Sequence, residues 1–196
     1  SCFPKDTLAR VRTAQDVGAP TRIVESVVEA NKMRKTAMAQ RVIDACGGSV
    51  SGRKIAVLGV AFKPNTDDMR EAPSLDIIPV LQEAGATVCA YDPEAMEEAK
   101  PLIPGVKWAS GAYDTMTGAD ALVILTEWDE FRMLDLKEVK SRLERPLMID
   151  LRNIYSPQEM MRENFEYFSI GRPSVTAETA SSEAAPKETA TSGAAQ

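Results

Sequence analysis

The chain has 196 residues, 44% of them apolar, a net charge of −6 and no histidine. That content allows one ordinary domain with attachments, and no apolar run approaches the roughly 18 residues of a membrane span. The acidic balance disfavours nucleic acid as a partner, three widely spaced cysteines without a CxxC pair argue against a disulfide framework or zinc site, and acid–base work falls to Asp, Glu, Lys, Cys or water.

The first segment is Ser1-Cys2-Phe3-Pro4-Lys5-Asp6. It sets a thiol at the start of a helix, with a cation and a carboxylate just behind. A helix N-terminus and a nearby cation favour the thiolate, which makes Cys2 a candidate nucleophile, although an ordinary thiol fits the same spacing. Leu8 and Val11 predict a first helix from Pro4 to Asp16, with Gly18 placed to cap its end. A second helix begins near Pro20 or Thr21, carries Val24, Val27, Val28, Asn31, Met38, Val42 and Ala45 at helical spacing, and stops at Gly47-Gly48. It would be about 40 Å long, unusual for a helix that packs only on its own domain. Cys46 beside its apolar face reads as packing.

From Lys54 onward the pattern alternates. Strands are expected at Lys54–Val60, Thr87–Tyr91, Ala121–Leu125 and Leu147–Asp150, with Tyr167-Phe168 at a final edge. Helices are expected at Ser74–Ala84, Pro93–Lys100, Gly111–Thr117, Leu136–Leu143 and Pro157–Met161. Such alternation predicts an α/β, Rossmann-like parallel sheet covered on both faces. Cys89 falls inside a strand and reads as a core thiol.

Ser174 to Gln196 is dominated by Ala, Ser, Thr and Glu, with Val175 as its one large aliphatic. It cannot bury enough apolar surface to offset its ordering entropy and is expected to be disordered. The resulting division is 1–48 for the cysteine segment and long helix, 49–172 for the sheet domain, and 173–196 for the tail.

After the first strand comes Gly59-Val60-Ala61-Phe62-Lys63-Pro64, which is not GxGxxG. A Phe-Lys-Pro segment obstructs the close approach of backbone to pyrophosphate that the glycines permit. The loop still follows a strand, where ligands bind in open α/β sheets, so Lys63 is the candidate cation for reading phosphate by side chain. A solvated lysine on a tight turn fits as well.

Two strings, SCFPKD at Ser1–Asp6 and KIAVLGVAFKPNTDDMREAPS at Lys54–Ser74, together resemble the UDP-glucose/GDP-mannose dehydrogenase family. In that family GGSCFPKD surrounds the nucleophile and GxAFKPxTDDxRES/APS opens the C-terminal domain. The likeness continues through Ala90-Tyr91-Asp92-Pro93, Thr126-Glu127-Trp128 and Asp150-Leu151-Arg152. The family's N-terminal glycine fingerprint for NAD is not in these residues, so the chain reads as the C-terminal part of a family member, beginning within the cysteine motif.

The resemblance implies UDP-glucose as substrate and NAD as cofactor. It implies that Phe62, Lys63 and Arg152 contact the nucleotide sugar, that Arg70 reaches NAD held by the other domain, and that Ser1 and Lys5 lie near the nicotinamide. Cys2 would add to an intermediate aldehyde and then hold the acyl group as a thioester, while Asp6 orients or deprotonates the hydrolytic water. Asp67, Asp68 and Glu71 would position the loop or stand as solvated turn carboxylates. Thr126, Glu127 and Trp128 read as the edge of the site. The long helix would join two domains and form a homodimer, and the expected compartment is the cytoplasm. Two other readings stand beside it: a nucleotide-sugar-binding or dimerisation module without catalysis, and a related dehydrogenase acting on GDP-mannose or a UDP-N-acetylhexosamine.

Overall fold

The computed structural model describes residues 2–176, with side chains from Lys5 onward. Ser1 and residues 177–196, including nearly all of the expected tail, lie outside the described residues. Helix α1 (Cys2–Asp16) leads into α2 (Arg22–Ala45). Gly18, at φ 69°, turns the chain between them, with Gly18 N donating to Gln15 O at 3.0 Å and Ala19 N to Ala14 O at 2.9 Å. These bonds satisfy carbonyls that the helix end would otherwise strand. Gly47 (φ 87°) ends α2 the same way, through Gly47 N to Asp44 O (2.9 Å) and Gly48 N to Ile43 O (3.0 Å). No helix among the described residues is long and apolar enough to cross a membrane.

The sheet domain then runs β1 (Lys54–Leu58), α3 (Ser74–Glu83), β2 (Thr87–Tyr91), α4 (Met96–Ala99), β3 (Lys107–Trp108), α5 (Ala112–Met116) and β4 (Ala121–Ile124). It continues through α6 (Asp129–Arg132), α7 (Leu136–Arg142), β5 (Leu147–Asp150), α8 (Pro157–Arg162) and β6 (Glu166–Ser169). All six strands are parallel in the order β3-β2-β1-β4-β5-β6. This is a doubly wound sheet whose order reverses between β1 and β4. The central strands are buried on both faces, which is why KIAVL, ALVI and LMID read as unbroken apolar runs rather than alternations.

Two elements escape the pattern reading: β3 spans only two residues, and α6 is a single turn. Neither is long enough to show a period. Two other helices carry clear start signals. The Asp135 carboxylate accepts from Lys137 N at 2.9 Å, and the Ser156 hydroxyl accepts from Glu159 N at 3.2 Å, with Pro157 in the first turn.

The C-terminal half of α2 belongs to the core. Ala39, Val42, Ala45 and Cys46 are buried, and α2 packs along α3. Arg41 donates to the carbonyl of Ser169 at the end of β6. Val175, assigned above to the tail, is buried and pairs with Tyr167 in both directions at 2.9 Å, so the fold extends three residues past the compositional boundary.

Candidate functional site

The carboxyl edge of the sheet gathers the loops after β1, β2, β4 and β5. In a dinucleotide-binding sheet, the β1 loop offers its backbone N–H groups to a pyrophosphate across the β1/β4 crevice. Here those donors are spent inside the protein. Asp92, which follows β2 and is fully buried, accepts from Val60 N (2.7 Å), Ala61 N (3.0 Å) and Trp128 Nε1 (3.2 Å) on one oxygen. Its other oxygen accepts from Glu94 N (3.1 Å) and Ala95 N (2.9 Å). An internal carboxylate thus stands where the anion of a ligand would.

The same crevice is closed by packing. Gly59 has φ 82°, and a Cβ there would sit 2.5 Å from the Cβ of Thr126. Glycine is required both by the backbone conformation and by this approach of the β1 and β4 loops. The Thr126 hydroxyl donates to Ala61 O at 2.7 Å, and the Ser74 hydroxyl donates to Val60 O at 2.6 Å. The residues present therefore do not fit a dinucleotide at the switch point, as the missing glycine pattern suggests. Any NAD must be held elsewhere.

What remains open lies one strand further along. Asp150, buried at the end of β5, accepts from Arg152 N (2.9 Å), Tyr155 N (3.0 Å) and the Tyr167 hydroxyl (2.8 Å), which fixes the turn carrying Arg152. The Arg152 guanidinium, about one-third exposed, lies 2.6 Å from Glu127 Oε2 and donates from Nη2 to Phe62 O at 3.4 Å. It is a paired cation, with Glu127 as its counter-charge. Arg34, Lys35, Leu125, Leu151, Arg152 and Ile170 line a crevice of about 240 Å³ where α2 leaves the sheet. Cationic groups over an apolar floor suit a phosphate-bearing ligand with a flat or aliphatic portion.

Phe62 is half-buried and Lys63 is exposed, without a hydrogen bond or ion pair among the described residues. Arg70, also exposed, is held bidentately by Asp68, with Nε to Oδ1 and Nη2 to Oδ2 both at 2.9 Å. Asp68 O in turn accepts from Phe62 N at 2.9 Å, closing the loop on itself. Asp67 is exposed, and Glu71 pairs with Lys35 at 3.1 Å. Cys2 is the first residue of α1; Lys5 and Asp6 follow on the same helix and are exposed. Thr7 and Leu8, just beyond them, share a crevice of about 340 Å³ with Phe62, Glu71 and Lys35. The cysteine-bearing helix and the β1 loop thus face each other across one cleft.

The other thiols are unsuited to chemistry. Burial pushes both Cys46 and Cys89 up from the ordinary thiol range, which disfavours the reactive thiolate. No group of three or more His, Cys, Asp or Glu side chains among the described residues could hold a metal ion.

Sequence reading gave no role to Asp92, Asp150 or Lys35. The available signal was a carboxylate at or just after a buried apolar strand, in TVCAYD and LMID. Burial also pushes the Tyr155 and Tyr167 phenols upward, reinforced by Glu159 and Asp150 for Tyr155 and by Asp150 for Tyr167. Both stay neutral in the folded protein while unfolded phenols ionise near pH 10. Their contribution is therefore complete below about pH 10 and falls by about 1.4 kcal/mol per pH unit per tyrosine above it. Urea midpoints measured from about pH 8 to about pH 11 should drop more steeply for the wild type than for Tyr167→Phe. Parallel curves would mean that Tyr167 ionises as freely folded as unfolded.

The sheet order, the spent amide donors and the cation-lined crevice beside β5 define a doubly wound α/β domain of the nucleotide-binding type, with its dinucleotide crevice closed. Residues 56–157 match the UDP binding domain of the UDP-glucose/GDP-mannose dehydrogenase family, and the chain belongs to that family. It is 56% identical over 173 residues to a UDP-glucose 6-dehydrogenase of Rhizobium meliloti (strain 1021), covering 88% of this chain and 40% of that protein. It is 46% identical over 176 residues to the UDP-glucose 6-dehydrogenase TuaD of Bacillus subtilis (strain 168), covering 89% of this chain and 38% of that one. Among solved structures, a UDP-glucose dehydrogenase from the archaeon Pyrobaculum islandicum superposes with a TM-score of 0.69 at 32% identity, over 86% of this chain and 36% of that one. The chain thus spans about 40% of the length of the curated relatives it matches.

Proposed function

We propose that this chain is the UDP-sugar-binding portion of an NAD-dependent UDP-glucose 6-dehydrogenase, which oxidises UDP-glucose to UDP-glucuronate through a cysteine adduct. The observation that carries the reading is the convergence of Arg152 and the Phe62-Lys63 loop at one edge of a sheet whose dinucleotide crevice is filled from within. Arg152 and Lys63 are assigned to the diphosphate, where a planar fork and a point charge give complementary contacts. Phe62 is assigned to the nucleotide sugar. Cys2 supplies the nucleophile, and Asp6, one turn further along α1, orients or deprotonates the hydrolytic water. Ser1, Lys5 and Arg70 are assigned to the nicotinamide cofactor, whose own binding domain lies outside these residues. The exposed apolar residues Ile23, Val27 and Met33 on α2 support the assignment of that helix to a homodimer interface. A cytoplasmic setting fits the chemistry of a nucleotide-sugar substrate.

Calorimetric titration of UDP into the 196-residue chain tests the site. Binding should be weak and salt-sensitive. A charge-assisted contact contributes about 1.5–3 kcal/mol, so Lys63→Ala or Arg152→Ala should weaken binding roughly ten- to a hundredfold. Arg152→Ala additionally leaves Glu127 without its counter-charge, which adds repulsion toward phosphate. Equal affinity in all three proteins sinks the site, and tighter binding of NAD than of UDP reverses the assignment of the domain.

A further inference from the structure

Lys35 lies on α2 and lines both crevices described above. Its ammonium is 3.1 Å from Glu71 Oε2 and 3.0 Å from Asp76 Oδ2, and the side chain is about one-quarter exposed. The two carboxylates differ in kind. Asp76 sits in the first turn of α3, where a negative charge is already favoured by the helix N-terminus. Glu71 belongs to the β1 loop, directly after Arg70, and adopts φ 61°. A side chain other than glycine disfavours that left-handed conformation, so the surrounding contacts must hold it there.

The rest of the loop is anchored at its other end. Asp92, Ser74, Thr126 and Arg152 fix Val60, Ala61 and Phe62. Lys63 and Arg70 therefore ride on a segment pinned near β1 by buried hydrogen bonds and tied to α2 by an ion pair. Burial alone would lower the Lys35 pKa, but the carboxylates of Asp76 and Glu71 outweigh it and raise the value. The ammonium stays charged in its half-buried position.

We propose that Lys35 is a positioning residue that, through Glu71, fixes the β1 loop against α2 in the geometry that presents Lys63 to the ligand diphosphate. This rests on the reading of the domain as a UDP-sugar site. Because Lys35 is part of α2, on which α1 packs, the same tie joins the helix pair carrying Cys2 to the nucleotide-binding loop.

The two partners separate positioning from stability. Glu71→Gln frees the loop and leaves the Lys35–Asp76 pair; Asp76→Asn weakens the packing of α2 on α3 and leaves the loop tie. UDP affinity should fall about five- to tenfold in Lys35→Met and Glu71→Gln, stay near the wild-type value in Asp76→Asn, and be largely restored in Lys35→Arg. Lys63→Ala should then cost less in the Lys35→Met background than in the wild type, because an unfixed loop no longer aims that ammonium. Calorimetric titration of UDP, with urea midpoints measured in parallel, reads all of these. Wild-type affinity in folded Glu71→Gln, equal losses in Glu71→Gln and Asp76→Asn, or strict additivity with Lys63→Ala overturns the proposal while leaving the UDP site intact. If Lys35→Met does not fold, the Glu71 and Asp76 variants decide the matter. A wild-type chain that does not bind UDP removes both readings together.

Discussion

Asp92→Asn should destabilise the chain by about 3–5 kcal/mol, lowering its melting temperature by roughly 10 °C. The carboxylate is fully buried and accepts five hydrogen bonds, from Val60, Ala61, Glu94, Ala95 and the Trp128 indole. An asparagine keeps the volume but offers an oxygen on one side only. If that oxygen serves Glu94 and Ala95, the amide NH₂ meets three further donors. Buried donors facing a donor lose their partner and the water they gave up on folding, about 1–3 kcal/mol each. Relaxation of the loop returns part of that sum, which sets the lower overall figure. The same variant should lose UDP affinity, because Phe62 and Lys63 follow the two amides that Asp92 holds. Urea unfolding with an unchanged slope checks the first claim, and titration of the still-folded fraction checks the second. A melting temperature within about 2 °C of wild type would show that the loop holds its shape without the carboxylate.

Most of the architecture was legible in the sequence because it rests on local, repeated signals. KIAVL, TVCAY, ALVI and LMID are strand-length apolar runs, and the helix ends carry Gly18, Gly47, Asp135 and Ser156 where capping requires them. The absence of GxGxxG after β1 was also legible, and the structure supplies its reason: Gly59 is pressed against Thr126, and the amides beyond it belong to Asp92. Partnerships at long range were not legible. Lys35 meets Glu71 and Asp76 across about forty residues of sequence, and Arg152 meets Glu127 only because β4 and β5 are neighbours. A carboxylate that closes a loop and one that binds a ligand read alike in one dimension, and only burial distinguishes them. Val175 shows the converse limit, since one aliphatic in a polar stretch found a place beside β6 that composition alone does not reveal.

Cys2→Ser, in protein completed by a dinucleotide-binding domain, should reduce uronate formation by about a thousandfold or more, the scale on which enzymes lose activity with their nucleophile. Under the proposed function the Cys2 thiolate would add to the C6 aldehyde carbon to give a thiohemiacetal, loss of hydride from that adduct with NAD as acceptor would leave a thioester, and hydrolysis would release the carboxylate and the thiol. Serine at this position is protonated near neutral pH and adds poorly, and an ester formed there would turn over more slowly than a thioester. The expected signature is therefore specific: UDP affinity stays near wild type while turnover collapses, because Cys2 lies on α1 and the diphosphate contacts are assigned to the β1 and β5 loops. Alkylation offers an independent measurement on unmutated protein. Cys46 and Cys89 are buried, and burial raises both thiols, so a mild alkylating reagent at neutral pH should inactivate by modifying Cys2 while sparing the other two. Peptide mapping of the inactivated protein identifies the modified residue. Uronate production at the wild-type rate by Cys2→Ser, or inactivation that tracks Cys46 or Cys89, would take the nucleophile away from the N-terminal helix altogether.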